Sequence, residues 1–282
     1  MGTAMASSRL QKKQQSKPRH MTAKDADLLD LYERSVQDTE HEMDFITQVW
    51  TELRGRTCTQ LREDFCGSSA VCRAWVQQSL DHHAVGIDLD GPTLDWARAK
   101  MAEELTDEQR SRVTLVQGNV LDTPAEKAQC LMATNFSYFI FKTRDALRTY
   151  FKAARNAIEE DGLFLLDAYG GSDSFLEMEE ERDCDGFTYI WDQHHYNPVN
   201  GDVINYIHYQ FPDGTKLKKA FTYEWRLWTL PEIQELLIEA GFSAVYVYWE
   251  GSDEDGDGNG EWSQVTKADA DEGWVAYLVA TP

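Results

Sequence analysis

The chain has 282 residues, 42% of them hydrophobic and 12% aromatic, enough to bury a full core in one large domain that carries an insertion. Its 27 Lys and Arg against 49 Asp and Glu give a formal net charge of −22; residues 1–24 hold six of the bases and none of the acids, so the remainder stands at 21 − 49 = −28. A body of that sign repels a phosphate backbone or an anionic bilayer, which sets nucleic-acid and membrane partners aside.

Residues 1–21, with "SSRLQKKQQSKPRH", are polar and basic without periodicity and read as a disordered tail. No run of about 18 apolar residues occurs and the start lacks a signal-peptide core, so a cytoplasmic protein is expected. The five cysteines include no CxxC pair, which fits a reducing compartment and argues against a disulfide framework or a thiolate zinc site.

Residues 22–56 read as an N-terminal helical segment. Leu28, Leu29, Tyr32 and Val36, then Met43, Phe45, Ile46, Val49, Trp50 and Leu53, recur at helical spacing, with a break near Asp38 and Thr39 that makes two helices. From Thr57 short extended runs alternate with helices: "CTQLRED", a helix from about Ser69, "HAVGID", "TLDWARAKMAEEL", "RVTLVQG", "CLMATN", a helix from Thr143 to about Glu159 with Gly162 after its end, and "GLFLLDAY". Such alternation predicts a doubly wound, mostly parallel α/β core over residues 57–169. "CTQLRED" is more polar than a central strand ordinarily tolerates.

Over residues 170–228 the alternation stops. "FTYIWDQHHY", "DVINYIHYQF" and "KLKKAFTYEWR", separated by the turn signals "NPVNG" and "PDGT", predict an inserted antiparallel meander, a flap whose exposed edges could also pair two copies into a homodimer. The α/β pattern returns in residues 229–282, with "LPEIQELLIEAGF" as a helix, then "AVYVYWE", an acidic loop at 250–261 and "GWVAYLVAT". Asp253, Asp255, Asp257 and Gly258 begin like a calcium loop, but the twelfth position is Gln264 where bidentate binding needs Glu. The stretch reads as a solvated hairpin loop without a metal.

"LREDFCGSS", Leu61–Ser69, joins a strand to a helix where an open parallel sheet binds ligands, and the next strand ends at Asp88, 25 positions after Glu63. A carboxylate there can accept both hydroxyl hydrogens of a ribose, while the single Gly67 argues against the three-glycine turn of a dinucleotide site.

With Glu63, Cys66 and Gly67 in those places, the chain resembles the class I S-adenosylmethionine (SAM) methyltransferases, although Phe65 and Ser69 stand where that family usually has glycine. "GIDLD" and "VQGNVLD" resemble the second and third family motifs. The resemblance implies a Rossmann-like seven-stranded sheet with SAM as cofactor. It implies Asp88 at the ribose, Leu89 against the adenine, Asn119 at the adenine amine with Val120 among the cofactor contacts, residues 22–56 as a helical lid whose Tyr32 reaches the cofactor, Arg62 at the methionine carboxylate and Asn135 at SAM or substrate.

The insertion and the flanking "NFSYFIFKTRDAL" and "EWRLWTLPEI" look like the small-molecule N-methyltransferases of the glycine and amino-sugar type. The predicted function is therefore methyl transfer to a small nucleophile, an amine first, with an oxygen acceptor or a non-catalytic SAM-binding module as the alternatives. His194, His195 and His208 are the candidate bases, of which adjacent His194 and His195 cannot both face one site on a strand. Tyr169, Trp191, Tyr196, Tyr206 and Trp228, with Tyr223 and Trp225, are the candidates for enclosing a cation.

Overall fold

Two helices precede the first strand in the computed structural model, which describes residues 21–122, 126–252 and 258–282. They are α1 (Leu28–Val36) and α2 (Thr39–Arg54), parted where the Asp38 side chain accepts the His41 N–H and so caps α2. The α/β core follows as β1 (Gln60–Asp64), α3 (Ala70–Gln78), β2 (His83–Asp88), α4 (Gly91–Glu104), α5 (Asp107–Ser111), β3 (Val113–Gln117), β4 (Ala128–Ala133), α6 (Arg144–Ala157) and β5 (Ile158–Gly170). Thr143 caps α6 as expected, but Gly162 lies inside β5, where an added Cβ would meet the Gln129 carbonyl oxygen at 2.8 Å.

The insertion is a four-stranded antiparallel sheet of β6 (Met178–Cys184), β7 (Phe187–Tyr196), β8 (Asp202–Gln210) and β9 (Lys216–Arg226). Its first strand, "MEEERDC", escapes sequence reading because an exposed edge needs no apolar alternation. The chain closes with α7 (Leu230–Glu239), β10 (Ala244–Ser252), β11 (Gly258–Val265) and β12 (Trp274–Thr281).

The main sheet runs β11-β10-β12-β5-β4-β1-β2-β3, eight strands where seven are expected. The additional one is β11, which pairs with β10 where the sequence suggests only an acidic loop. Asp253, Asp255 and Asp257 of the calcium-like run lie outside the described residues. β1 to β5 are parallel to one another, and the crossover between β1 and β4 makes the ligand-binding crevice of such a sheet.

The helices α2, α3 and the end of α4 cover one face of the sheet, and α6 and α7 the other. The inner face of the antiparallel sheet rests on α1 through Leu31, Tyr32, Ile207 and Tyr209. Both layers thus roof the carboxyl ends of β1, β4 and β5. Among the described residues no helix is long and apolar enough to cross a membrane.

The polar β1 is accommodated by pairing. Arg62 Nε donates to Asp64 Oδ1 at 2.7 Å, the Tyr150 hydroxyl donates to Asp64 Oδ2 at 3.0 Å, and on the opposite face the Cys72 thiol donates to Glu63 Oε2 at 3.1 Å. A strand between two neighbours tolerates these groups because Arg62 Nε, Asp64 and Glu63 each find a buried partner, although Arg62 Nη1 and Nη2 have none among the described residues.

Candidate active site at the strand tips

The turn after β1 bends tightly. Phe65, Gly67 and Ser69 all take left-handed backbone conformations, with φ of 59°, 49° and 59°. Phe65 and Ser69 hold the shape that glycine adopts freely, so the departure from a glycine-rich pattern changes the side chains and not the path of the chain. Backbone of that kind in non-glycine residues concentrates at functional sites. Open space lies beside Gly67, where an added Cβ would meet nothing within 4 Å.

Asp88 closes the turn from β2. Its Oδ2 accepts the Gly67 N–H at 2.8 Å and its Oδ1 the Asp90 N–H at 2.9 Å. Leu89 beside it is 64% exposed. At the tip of β3, Asn119 Oδ1 accepts the Leu121 N–H at 3.0 Å, while Val120 is buried in the core. Asp88, Leu89 and Asn119 thus lie together past the ends of β2 and β3.

Next to the turn several buried polar atoms lack partners. Ser68 Oγ and Ser69 Oγ in the turn, and Glu42 Oε2 on α2, have none among the described residues. An orphaned buried acceptor or donor is costly, and the two in this open turn suit a polar ligand such as the methionine end of SAM. Arg73 ties the lid to this place, donating to the Ser68 carbonyl at 2.6 Å, to Glu33 of α1 at 2.7 Å and to Glu104 of α4 at 2.9 Å.

Asn135 and Phe136 follow β4, and both have φ of 56°. Asp167 of β5 holds them, accepting the Asn135 N–H at 2.7 Å on Oδ2 and the Phe136 N–H at 2.9 Å on Oδ1. Asp167 escaped sequence reading, although an acid ending the apolar run "LFLLD" at a strand tip was the available signal. Burial pushes its carboxyl up to about 7 against those two N–H bonds, and burial pushes Glu63 up to about 8 against the Cys72 thiol bond.

For both carboxyls the folded value lies above the unfolded one, so the stability they contribute is fully present below about pH 4 and is lost as pH rises through about 7 and 8. Melting temperature is therefore expected to fall between about pH 5 and about pH 8.5, and Glu63→Gln to flatten part of that fall. A fall as steep in the variant as in the parent would remove Glu63 from the effect.

Above Asn135 and Phe136 lies a chamber of about 100 Å³ bounded by Tyr32, Tyr189, Trp191, Tyr223 and Trp225. The Tyr223 hydroxyl bonds to that of Tyr32, and burial raises both phenols well above the ordinary tyrosine range. Neither can act as a base near neutral pH. A larger cavity of about 450 Å³ shares Phe136 and Trp191 with the chamber and is lined also by Tyr169, Asp173, Glu180 and Glu250. Tyr169 accepts a hydrogen bond from Asn205 at 3.2 Å.

Several predicted site residues lie elsewhere. Arg62, expected at the methionine end, is on the opposite face of β1 from Glu63 and is engaged by Asp64, because alternate residues of a strand face opposite ways. Tyr206 pairs with Asp192, and His208 with Ile190, on the face of the antiparallel sheet opposite Trp191 and Ile207. A bulge between Gln193 and His195 leaves His194 and His195 about half exposed on that same outer side, where His195 bonds to Glu177 at 3.0 Å. The three histidines are therefore turned away from the chamber.

Tyr206 carries the Lys219 ammonium over its ring at 4.0 Å, and Trp228 is buried in the core under Arg226. Tyr196 packs against Phe175. None of these three lines either cavity. On the outer face Glu179, Asp192 and His208 bring one ligand atom each within 4.8 Å of one another. His208 Nδ1 accepts the Lys219 N–H at 2.7 Å, so in the neutral ring Nε2 carries the proton, donates it to Asp192 at 3.1 Å and offers no lone pair to an ion.

A sheet of this order, roofed by an N-terminal helix pair and an antiparallel flap, has close counterparts among solved structures. A SAM-dependent methyltransferase from Clostridium acetobutylicum superposes with a TM-score of 0.66 over 90% of this chain and 97% of its own, at 18% identity. The fold is that of the SAM-dependent methyltransferases.

DesVI of Streptomyces venezuelae matches with a TM-score of 0.64 over 90% of this chain and 97% of its own, at 16% identity. CalS10 of Micromonospora echinaspora, an amino pentose methyltransferase with SAM bound, matches at 0.63 over 90% and 96%, with 13% identity. No family model matches the sequence, and no curated protein is similar to it in sequence. In this methyltransferase fold the turn after β1 and the Asp88 carboxylate stand at the crevice between β1 and β4.

Proposed function

We propose that the protein is a SAM-dependent methyltransferase acting on the nitrogen of a small amine. The observation that carries this reading is the turn at Phe65–Ser69, bent into the glycine conformation without the glycines and closed by Asp88. Strain of about 1–3 kcal/mol per left-handed residue persists where the surroundings enforce it, and here the open space beside Gly67 and the unpartnered Ser68 and Ser69 hydroxyls suit a ligand.

SAM supplies an activated methyl group, which leaves the protein chiefly the tasks of alignment and of excluding water. Asp88 would hold the ribose and Asn119 the adenine edge. Asp167 fixes Asn135 and Phe136 as the floor on which the acceptor rests. The aromatic chamber above favours an amine over an alcohol, because its ring faces attract positive charge while its raised phenols remain neutral hydrogen-bond partners. Asp173, Glu180 and Glu250 make the wider cavity attractive to a cation on its way in.

The test is incubation with methyl-labelled SAM and a panel of amines, alcohols and amino sugars, read by mass spectrometry. Label in an amine product is the expected result. Binding of SAM with no transfer to any acceptor would favour a binding module, and label in an alcohol would overturn the nitrogen assignment.

A further inference from the structure

A third carboxylate joins Glu63 and Asp167 beneath the lid, and it comes from a helix. Glu63 pairs in register with Met132 of β4, and Met132 with Leu165 of β5. Because alternate residues of a strand share a face, Glu63, Met132, Leu165 and Asp167 all look toward α2 and α3. Tyr277 of β12, the register partner of Asp167, stacks on Phe45 of α2 at 4.3 Å and lies 5.7 Å from His41.

The first turns of α2 are thereby set above the Asp167 end of the crevice. Glu42 belongs to those turns. It is only 6% exposed, and its Oε2 has no hydrogen-bond partner among the described residues.

Among the described residues no Lys or Arg forms an ion pair with Glu42, Glu63 or Asp167. Glu63 has the Cys72 thiol and Asp167 has two backbone N–H groups, so Glu42 is the one whose acceptor is left over. Burial together with the nearby Glu63 and Asp167 pushes the Glu42 carboxyl well above its ordinary range, as expected for a group poised to ionise only when a cation arrives. Buried acids without a cation are unfavourable, and a ligand ammonium would relieve all three.

We propose that Glu42 is the receptor for the α-ammonium group of the cofactor's methionine end, with Glu63 and Asp167 supplying the negative surroundings. The proposal rests on the reading of the site as a SAM site and adds the residue by which the lid helix takes part in it.

Three ligands separate the terms: SAM, S-adenosylhomocysteine, which keeps the ammonium but has no sulfonium, and 5′-methylthioadenosine, which has neither the ammonium nor the carboxylate. Titration calorimetry on the full chain is expected to show that Glu42→Gln weakens SAM and S-adenosylhomocysteine alike, by roughly tenfold or more, as loss of a charged buried hydrogen bond requires. Affinity for 5′-methylthioadenosine should stay within about twofold, which also reports that the variant is folded. Glu42→Asp, which keeps the charge on a shorter arm, is expected to retain part of the preference.

Equal weakening of all three ligands, or of none, would overturn the role of Glu42. If the parent protein binds none of the three, the reading of the cofactor site itself fails.

Discussion

Asp88→Ala is expected to weaken SAM binding by roughly 30-fold to 1,000-fold, the equivalent of about 2–4 kcal/mol. Two losses combine in that figure. The carboxylate would no longer accept the ribose hydroxyl hydrogens, and the Gly67 N–H, now held at 2.8 Å, would lose the partner that closes the turn. The Asp90 N–H also loses its acceptor, but Asp90 keeps its own capping bond to the Thr93 N–H, so α4 should still start where it does. Asp88→Asn, which preserves shape without charge, should fall between the parent and alanine. Calorimetric titration of the three proteins checks this series, and an alanine variant with parental affinity would dismiss the ribose role.

The second large effect belongs to Asp167. Two consecutive left-handed residues, Asn135 and Phe136, are held there by a single carboxylate that accepts both of their N–H groups. In Asp167→Asn one of those N–H groups would face an amide NH₂ instead of an acceptor, and the strain would relax by moving Phe136. That ring forms part of both the small chamber and the wider cavity, so the acceptor would lose its floor. Turnover is expected to drop about 100-fold to 1,000-fold, as misplacement of a reacting group by about 1 Å can produce, while SAM affinity changes far less. Steady-state kinetics beside calorimetry separates the two. A loss of affinity as large as the loss of turnover would show that the surroundings Asp167 gives the cofactor, and not the alignment of the acceptor, are its main contribution.

The turn proposed for the cofactor was legible as a strand-to-helix turn because spacing carries it: an acid, a cysteine and a glycine after one strand, and a second acid at the end of the next. The positive φ values at Phe65 and Ser69 were not legible, since nothing local marks them and the surrounding sheet imposes them. Arg62 shows a different limit. Its place on β1 could be read, but its face depends on how β1 is sandwiched between β2 and β4, and that face leads to Asp64 and Tyr150.

The histidines failed for the same reason, compounded by a bulge at Gln193–His195 that no periodicity announces. Glu42 was invisible because an acid in the first turn of an amphipathic helix reads as its solvated side and as a favourable partner for the helix dipole. Only the packing of α2 over the strand tips turns it inward. The α/β core was readable through strong alternation, whereas β6 and β11, polar edge strands, offered none.

The most direct measurement is a crystal structure of the protein grown with S-adenosylhomocysteine. The expected result is density for the adenosine against Leu89 and Asn119, the ribose hydroxyls on Asp88, and the amino acid end over Gly67. Density for the ligand anywhere other than across the tips of β1, β2 and β3, or a turn at Phe65–Ser69 left empty at saturating ligand, would contradict this assignment.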